Sequence, residues 1–97
     1  MSKYWKIGDK NKFGKECYKL HFIQFYDDEV VAGFVQDEED DNVFIYTSKE
    51  MNVEYDTIIA DNIEDAKDQI EGMLVEHWND EISCLENRIS SFQENDD

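Results

Sequence analysis

The fold is decided by the stretch at residues 61–92, which reads DNIEDAKDQIEGMLVEHWNDEISCLENRISSF. Two overlapping capping boxes open it, Asp61 with Glu64 and Asn62 with Asp65. Apolar residues then recur at steps of three and four, the spacing of one helix face. These residues are Ile63, Ala66, Ile70, Leu74, Trp78, Ile82, Leu85, Ile89 and Phe92. The pattern predicts one long amphipathic α-helix.

This helix is too long for the rest of the chain to cover. At about 1.5 Å per residue, residues 63–92 span close to 45 Å, more than twice the length of a typical strand. Either the helix breaks after Trp78, with Asn79 or Asp80 capping a second helix, or its C-terminal half projects and packs on another chain. We favour a break or bend, because the Trp78-Asn79-Asp80 segment is typical of a helix restart and Gly72 weakens the interior.

The chain before the helix has the alternation and turn residues of strands. Five segments are predicted as strands: 3–7 (KYWKI), 17–26, 30–36 (VVAGFVQ), 42–47 (NVFIYT) and the short 53–60 (VEYDTIIA). The turns between them include an acidic one at residues 27–29. We therefore predict an α+β fold, an antiparallel β-meander of four to five strands followed by the long C-terminal helix, bent or broken.

The second of these segments does not alternate cleanly. Tyr18, Leu20 and Phe22 share one face, whereas Ile23 and Phe25 fall on the other. Either both faces of the strand are covered, or a bulge switches its register.

Length and composition indicate a single domain over residues 1–97, strand-rich at 1–60, helical at 61–93 and frayed at 94–97. No run approaches the roughly 20 apolar residues of a membrane span, and residues 1–15 lack the apolar core of a secretory signal. We expect a cytoplasmic protein that does not bind membranes. Cys17 and Cys84 form no CxxC pair and are predicted to be reduced, buried thiols.

Charge is the most distinctive property of the sequence. Twenty-five Asp and Glu residues against nine Lys and Arg residues give a net charge of −16. Six lysines and two acids give residues 1–26 a charge of +4, whereas twenty-three acids and three bases give residues 27–97 a charge of −20. Such a field disfavours direct binding of nucleic acid and favours a basic protein partner.

No motif for catalysis or metal binding stands out. The acidic run at residues 37–41 (DEEDD) lacks the spacing of a calcium loop, and His21 and His77 have no partners at zinc-ligand spacing. Glu76 and His77 are adjacent on a helix and so diverge by about 100°. We expect a protein without enzymatic activity, cofactor or metal.

Two acidic segments are the candidate partner-binding sites: the run at 37–41 and the polar face of the helix. The alternative is that they are solvated charge that only confers solubility. We expect an exposed aromatic residue, Tyr46 or Tyr55, to anchor the contact. The candidate binding residues are Asp37, Glu38, Glu39, Asp40, Asp41, Glu64, Asp65, Asp68, Glu71, Glu76, Asp80 and Glu81.

A small chain with a DEEDD loop, an acidic capped helix (ADNIEDAKDQIEGML, residues 60–74) and no catalytic signature resembles the phage-encoded inhibitors of bacterial defence, the anti-CRISPR and DNA-mimic proteins. The resemblance lies in size and charge. It implies a protein in the cytoplasm of a bacterial host cell that competes for the arginine-lined nucleic-acid site of a CRISPR effector or another nuclease.

Two other interpretations of the sequence remain open. The chain is also similar in size and charge to immunity proteins and antitoxins that neutralise a basic nuclease. Alternatively it is an acidic homodimeric adaptor or structural protein, in which a helix seam joins two chains. That seam consists of Trp78, Ile82, Leu85, Ile89 and Phe92. The sequence leaves open whether the protein is a monomer or a homodimer.

Overall fold

The predicted fold class is confirmed by the structure, a computed structural model that describes residues 2–94. Five antiparallel strands pair in chain order and one helix follows them. The elements are β1 (Ser2–Lys10), β2 (Glu16–Gln24), β3 (Asp27–Gln36), β4 (Val43–Ser48), β5 (Val53–Ile59) and α1 (Ile63–Glu94). The expected fray at 94–97 falls almost wholly outside the described residues.

The hairpin between β2 and β3 corrects the predicted acidic turn at 27–29. Those three residues begin β3 and pair with Gln24, Ile23 and Phe22. The turn lies instead at Phe25 and Tyr26, whose φ angles are 51° and 73°. Two consecutive left-handed residues are the pattern of a type I′ turn, which usually carries Asn-Gly. Aromatic residues are not typical of such a turn, so the prediction from the sequence placed the turn at the wrong residues.

The register irregularity lies in β3, opposite the aromatic run of β2. Leu20 pairs with Ala32 and His21 with Val30, which leaves Val31 as an extra residue. Val31 and Ala32 are consecutive, yet both are buried. The Val31 carbonyl accepts a hydrogen bond of 2.7 Å from Ser48 Oγ, so this bulge leaves no buried carbonyl unsatisfied at that point.

Helix α1 covers one face of the sheet and closes a core of aromatic rings and small helix side chains. Phe34 lies at its centre, stacked on Tyr18 at 4.9 Å and edge-on to Phe44 at 5.6 Å. Ala66, Ile70 and Leu74 supply the helix side. Tyr46 is buried in the same cluster and is therefore excluded as an exposed anchor.

The helix begins at the second of the two capping boxes. Asn62 Oδ1 accepts the Asp65 N–H at 2.8 Å, and the Asp65 carboxylate accepts the Asp61 N–H at 3.0 Å. The first bond satisfies an amide donor that the first helical turn leaves without an intrahelical partner, and the second ties the residue before the cap to the helix. Within residues 2–94, no helical segment combines the length and the apolar content needed to cross a lipid bilayer.

The favoured break after Trp78 is wrong, because α1 is one continuous helix of 32 residues. Asn79 and Asp80 are only modestly poor helix formers, and nothing near them forces a left-handed cap. The side chains from 79 to 93 are all exposed, so these residues form a projecting arm. Cys84 lies on the arm and is exposed, which corrects the expected burial; Cys17 is half-buried, and neither forms a disulfide.

Candidate partner-binding surface

A row of carboxylates winds along the exposed surface of α1 and turns by about 40° around the helix axis at each step of four residues. Glu64, Asp68, Glu76 and Asp80 occupy positions four residues apart, with Gly72 filling the middle position, and all four acids are exposed. Successive positions are separated by about 6 Å along the helix axis, so the row is about 24 Å long. We call these four residues the acidic ridge.

Among the described residues, the basic side chain that pairs with the ridge contacts only its first residue, Glu64. Lys67 lies between α1 and the sheet, where its Nζ is 5.5 Å from the centroid of the Tyr18 ring and 3.2 Å from Glu64 Oε1. Among residues 2–94, no ion pair or side-chain hydrogen bond reaches Asp68, Glu76 or Asp80. Three of the four ridge carboxylates are therefore available to a partner.

The remaining predicted helix acids have partners within the fold. Asp65 caps the helix, as described above, and its carboxylate also accepts a bond of 3.3 Å from Gln69. Glu81 Oε1 lies 3.2 Å from His77 Nε2. Glu71 forms a salt bridge with Lys3 and accepts a hydrogen bond from Trp5 Nε1 at 3.1 Å. Lys3 is one point at which the basic N-terminal segment folds against the acidic helix.

The environment of Glu71 affects its protonation. Partial burial raises the pKa of this carboxyl, but the hydrogen bonds from Lys3 and Trp5 outweigh it, so the pKa lies below its ordinary value of 4.5. A carboxyl whose pKa is lower in the folded chain than in the unfolded chain stabilises the fold above the unfolded pKa. That contribution is lost as the pH falls through the lower, folded pKa.

Acid titration of the wild type and of Glu71→Gln is therefore expected to diverge. At pH 7 the variant should have the lower free energy of unfolding, because the ionic contact with Lys3 is lost. Below pH 4.5 the difference should shrink, since Glu71 itself becomes neutral. Urea unfolding at a series of pH values measures this difference in the free energy of unfolding, and Glu86→Gln on the exposed arm is the control. A difference independent of pH would contradict the role given to Glu71.

The acidic loop at residues 37–41 lies beside the start of α1. Asn42 joins the loop to the residues before the helix. Its side-chain amide donates to the Ala60 carbonyl at 3.0 Å, and its backbone carbonyl accepts the Ala60 N–H at 2.9 Å. Asp37 accepts the N–H groups of Glu39 and Asp40 at 3.1 and 3.2 Å. Part of the loop's charge thus shapes the loop itself.

The other loop acids are less engaged. Asp41 lies 4.0 Å from Lys15, a second contact between the basic segment and the acids. Glu38 and Glu39 are exposed, and within residues 2–94 their side chains make no hydrogen bond or ion pair. The loop therefore extends the acidic surface at the N-terminal end of the helix.

Two exposed aromatic residues occupy the opposite end of the molecule, and the sequence did not single them out. Phe25 is 82 % exposed and Tyr26 fully exposed, at the left-handed turn between β2 and β3. A bulky residue with positive φ is strained, and strain of this kind clusters at functional sites. We call this pair the hairpin tip. The acidic loop, the ridge and the hairpin tip lie in that order along the direction of α1, since Trp78 reaches Phe22 near the tip.

One polar network lies on the sheet face that α1 leaves open. The Asp28 carboxylate accepts from Tyr4 Oη at 2.7 Å and lies 2.9 Å from His21 Nδ1, while the Tyr4 and His21 rings stack at 4.7 Å. The hydrogen bond from Tyr4, followed by that from His21, lowers the pKa of Asp28. Because the network joins β1, β2 and β3, its evident role is to hold the first three strands together.

Neither a metal centre nor a relative identifies this surface. No group of three or more His, Cys, Asp or Glu side chains in the described part of the chain is arranged to hold a metal ion. Comparison with protein-family models, curated proteins and solved structures gives no match to this chain. The acidic loop, the ridge and the hairpin tip are the surface features that indicate a function.

Proposed function

We propose that this protein is an acidic inhibitor that binds the basic nucleic-acid-binding surface of a bacterial defence nuclease, of the anti-CRISPR or DNA-mimic type, and blocks access of its substrate. It acts by binding and not by catalysis. The observation that carries the proposal is the acidic ridge, an exposed row of carboxylates of which three have no hydrogen-bond or ion-pair partner among residues 2–94.

The ridge suits a surface built to hold phosphates. Arginine forks that bind phosphate oxygens also bind carboxylates in the same bidentate geometry. Ridge positions about 6 Å apart offer about one carboxylate for every two phosphates of one DNA strand, whose rise is about 3.4 Å per nucleotide. The ridge is thus a partial copy of a strand, and the acidic loop at 37–41 adds charge at its N-terminal end.

The hairpin tip adds an apolar contribution to the affinity for the partner, which charge alone does not provide. Long-range attraction mainly raises the rate of association, whereas desolvated aromatic residues carry much of the affinity at an interface. Phe25 and Tyr26 are exposed, apolar and clear of the ridge, so they add an apolar contact to an electrostatic one. The tip replaces Tyr46, which is buried, as the proposed anchor; Tyr55 stays exposed on β5.

A pair of triple variants with equal net charge tests the proposal. Asp68→Asn, Glu76→Gln and Asp80→Asn neutralise the three unpaired ridge carboxylates, whereas Asp9→Asn, Glu54→Gln and Glu86→Gln neutralise three exposed acids away from the ridge and the hairpin tip. The ridge variant should lose capture of nucleases from bacterial lysate and inhibition of the captured nuclease, by about tenfold or more at moderate salt. The second variant should retain both.

Equal behaviour of the two triples would show that only the total charge matters and would overturn the proposal. Capture that does not weaken as salt rises would do the same, because contacts between charges at an exposed surface are screened. A partner that is captured but still cleaves its substrate at the full rate would contradict inhibition.

The alternative of an acidic homodimeric adaptor is favoured by one observation. The arm at 79–93 carries four of the five predicted seam residues, and these four, Ile82, Leu85, Ile89 and Phe92, are all exposed. An inhibitor and an adaptor can share this feature, since dimerisation leaves the ridge free. Inhibition of the captured nuclease distinguishes them.

A further inference from the structure

The arm carries a heptad pattern that starts before it. Steps of three and four alternate without interruption through Val75, Trp78, Ile82, Leu85, Ile89 and Phe92. Val75, Ile82 and Ile89 occupy a positions, and Trp78, Leu85 and Phe92 occupy d positions. All except the half-buried Trp78 are at least half exposed. Trp78 contacts Phe22 and donates a hydrogen bond to Glu50, but the four seam residues from Ile82 to Phe92 are exposed in the part of the chain that the structure describes. A seam of this kind, on a helix that extends beyond its own sheet, is a surface for another helix.

We infer that a second copy of this chain covers the seam, and that the two arms form an antiparallel two-helix coiled coil. In an antiparallel pair each a position lies level with a d position of the other helix. A two-fold axis between residues 83 and 84 then places Ile82 against the partner's Leu85, Trp78 against the partner's Ile89, and Val75 against the partner's Phe92. All six seam positions are used, in six layers.

The charges beside the seam select this orientation. In the antiparallel register the g positions of the two helices face each other, so Glu81 lies beside the partner's Arg88, and this ion pair forms twice. In a parallel pair the g position faces the following e position, which sets Glu81 beside the partner's Glu86. Arg88 is the only arginine in the chain, and its place on this edge complements Glu81.

The distribution of net charge selects the same orientation. Residues 79–93 carry three acids and one base, a charge of −2, so most of the −16 lies outside the arm. A parallel pair would set two strongly acidic bodies side by side. An antiparallel pair places residue 68 of the two chains about 45 Å apart along the axis, several times the screening length of about 8–10 Å.

A cleft at the base of the arm can bind the C-terminal end of the second copy's arm. It has a volume of about 250 Å³ and is lined largely by apolar side chains, among them Phe22, Leu74, Val75 and Trp78. The register brings the partner's Phe92 level with Val75, at the edge of this cleft. Phe92 is 76 % exposed in one copy, and the cleft offers it the contacts that the arm lacks.

Sedimentation equilibrium of the full chain tests whether the second copy is there. The wild type should have twice the 11.5 kDa mass of one chain. Leu85→Asp places a charge in the central layers and should give a monomer, whereas Ser83→Asp, on the outer side of the same helix, should stay dimeric. Phe92→Ala should weaken the dimer by roughly tenfold or more. A monomeric wild type, or a dimer that Leu85→Asp leaves intact, overturns the inference.

Charge reversal tests the orientation. Glu81→Arg should weaken an antiparallel dimer, because it faces the partner's Arg88, and should strengthen a parallel one, because it faces the partner's Glu86. Adding Arg88→Glu should restore the antiparallel dimer. Spin labels at Gln93→Cys, with both native cysteines changed to Ser, should lie about 30 Å apart or more, since the axial offset alone is near 28 Å. A short label distance or a strengthened Glu81→Arg dimer overturns the antiparallel arrangement.

The seam and the ridge use different residues of α1. The ridge residues Asp68, Glu76 and Asp80 are not on the seam, so the ridge triple should remain dimeric. Conversely, folded Leu85→Asp, checked by the circular dichroism of the sheet and helix, retains the ridge and the hairpin tip. Loss of capture in the first and loss of the dimer in the second are thus separate results.

Discussion

Replacing Phe44 by alanine is expected to lower the free energy of unfolding by about 3–5 kcal/mol, the usual cost of removing a buried phenylalanine. Phe44 is 0 % exposed and packs edge-on against Phe34 at the centre of the core. A small domain has only about 5–15 kcal/mol of stability in total, so this one change should bring the fold close to its limit. Urea denaturation followed by tryptophan fluorescence measures the loss.

Phe13→Ala is the matched control for Phe44. Phe13 lies in the turn between β1 and β2, is half exposed and has Lys12 above its ring at 5.0 Å. Its replacement should change the free energy of unfolding by no more than about 0.5 kcal/mol, as for most surface positions. Similar losses for the two variants would mean that Phe44 does not lie in a packed core.

The hairpin tip should respond in opposite directions in stability and in binding. Phe25→Asn with Tyr26→Gly installs the residues that a turn with two positive φ angles favours, and should raise the free energy of unfolding by about 1 kcal/mol or more. The same change removes both exposed rings. We expect capture of the nuclease partner to weaken by about 30-fold, the effect of losing an interface residue that contributes about 2 kcal/mol.

Tyr55→Ser is the control for the hairpin tip, because Tyr55 is also exposed but has an ordinary backbone conformation. Titration calorimetry with the captured partner and urea denaturation provide the two readouts. If Tyr55→Ser removes binding and the tip variant does not, the anchor lies on β5. If the tip variant is less stable than the wild type, the aromatic turn is not strained.

Most of the fold follows from periodicity in the sequence. The meander and the helix were predictable because local alternation and three-to-four spacing are strong signals over segments of this length. The break after Trp78 was predicted from a mismatch between helix and sheet length, which assumes that a chain covers its own apolar surface. The arm departs from that assumption, and no local pattern distinguishes an arm that projects from one that folds back.

The candidate surface was predictable in part. The loop at 37–41 and the ridge follow from residue type and helical spacing. The contacts of Glu71 with Lys3 and Trp5 could not be predicted from residue type and helical spacing. They depend on how β1 lies under α1, across more than sixty residues of sequence. The hairpin tip was missed because its two aromatic residues continue the apolar run of β2, and only the left-handed turn shows that they leave the sheet.

The extra residue in β3 has a consequence for how this fold tolerates insertion and deletion. Removing Val31 would leave Ala32 paired with Leu20 and Val30 with His21, so β3 can gain or lose this one residue without changing any cross-strand partner. The added residue brings a buried carbonyl, which Ser48 Oγ satisfies from the neighbouring strand. Ser48 Oγ also accepts the Met51 N–H at 3.1 Å, so loss of this hydroxyl alone would remove a partner from that N–H as well as from the buried Val31 carbonyl, at a cost of about 1–3 kcal/mol for the carbonyl. We therefore expect a hydroxyl at position 48 to be kept in any descendant of this chain in which β3 keeps its extra residue.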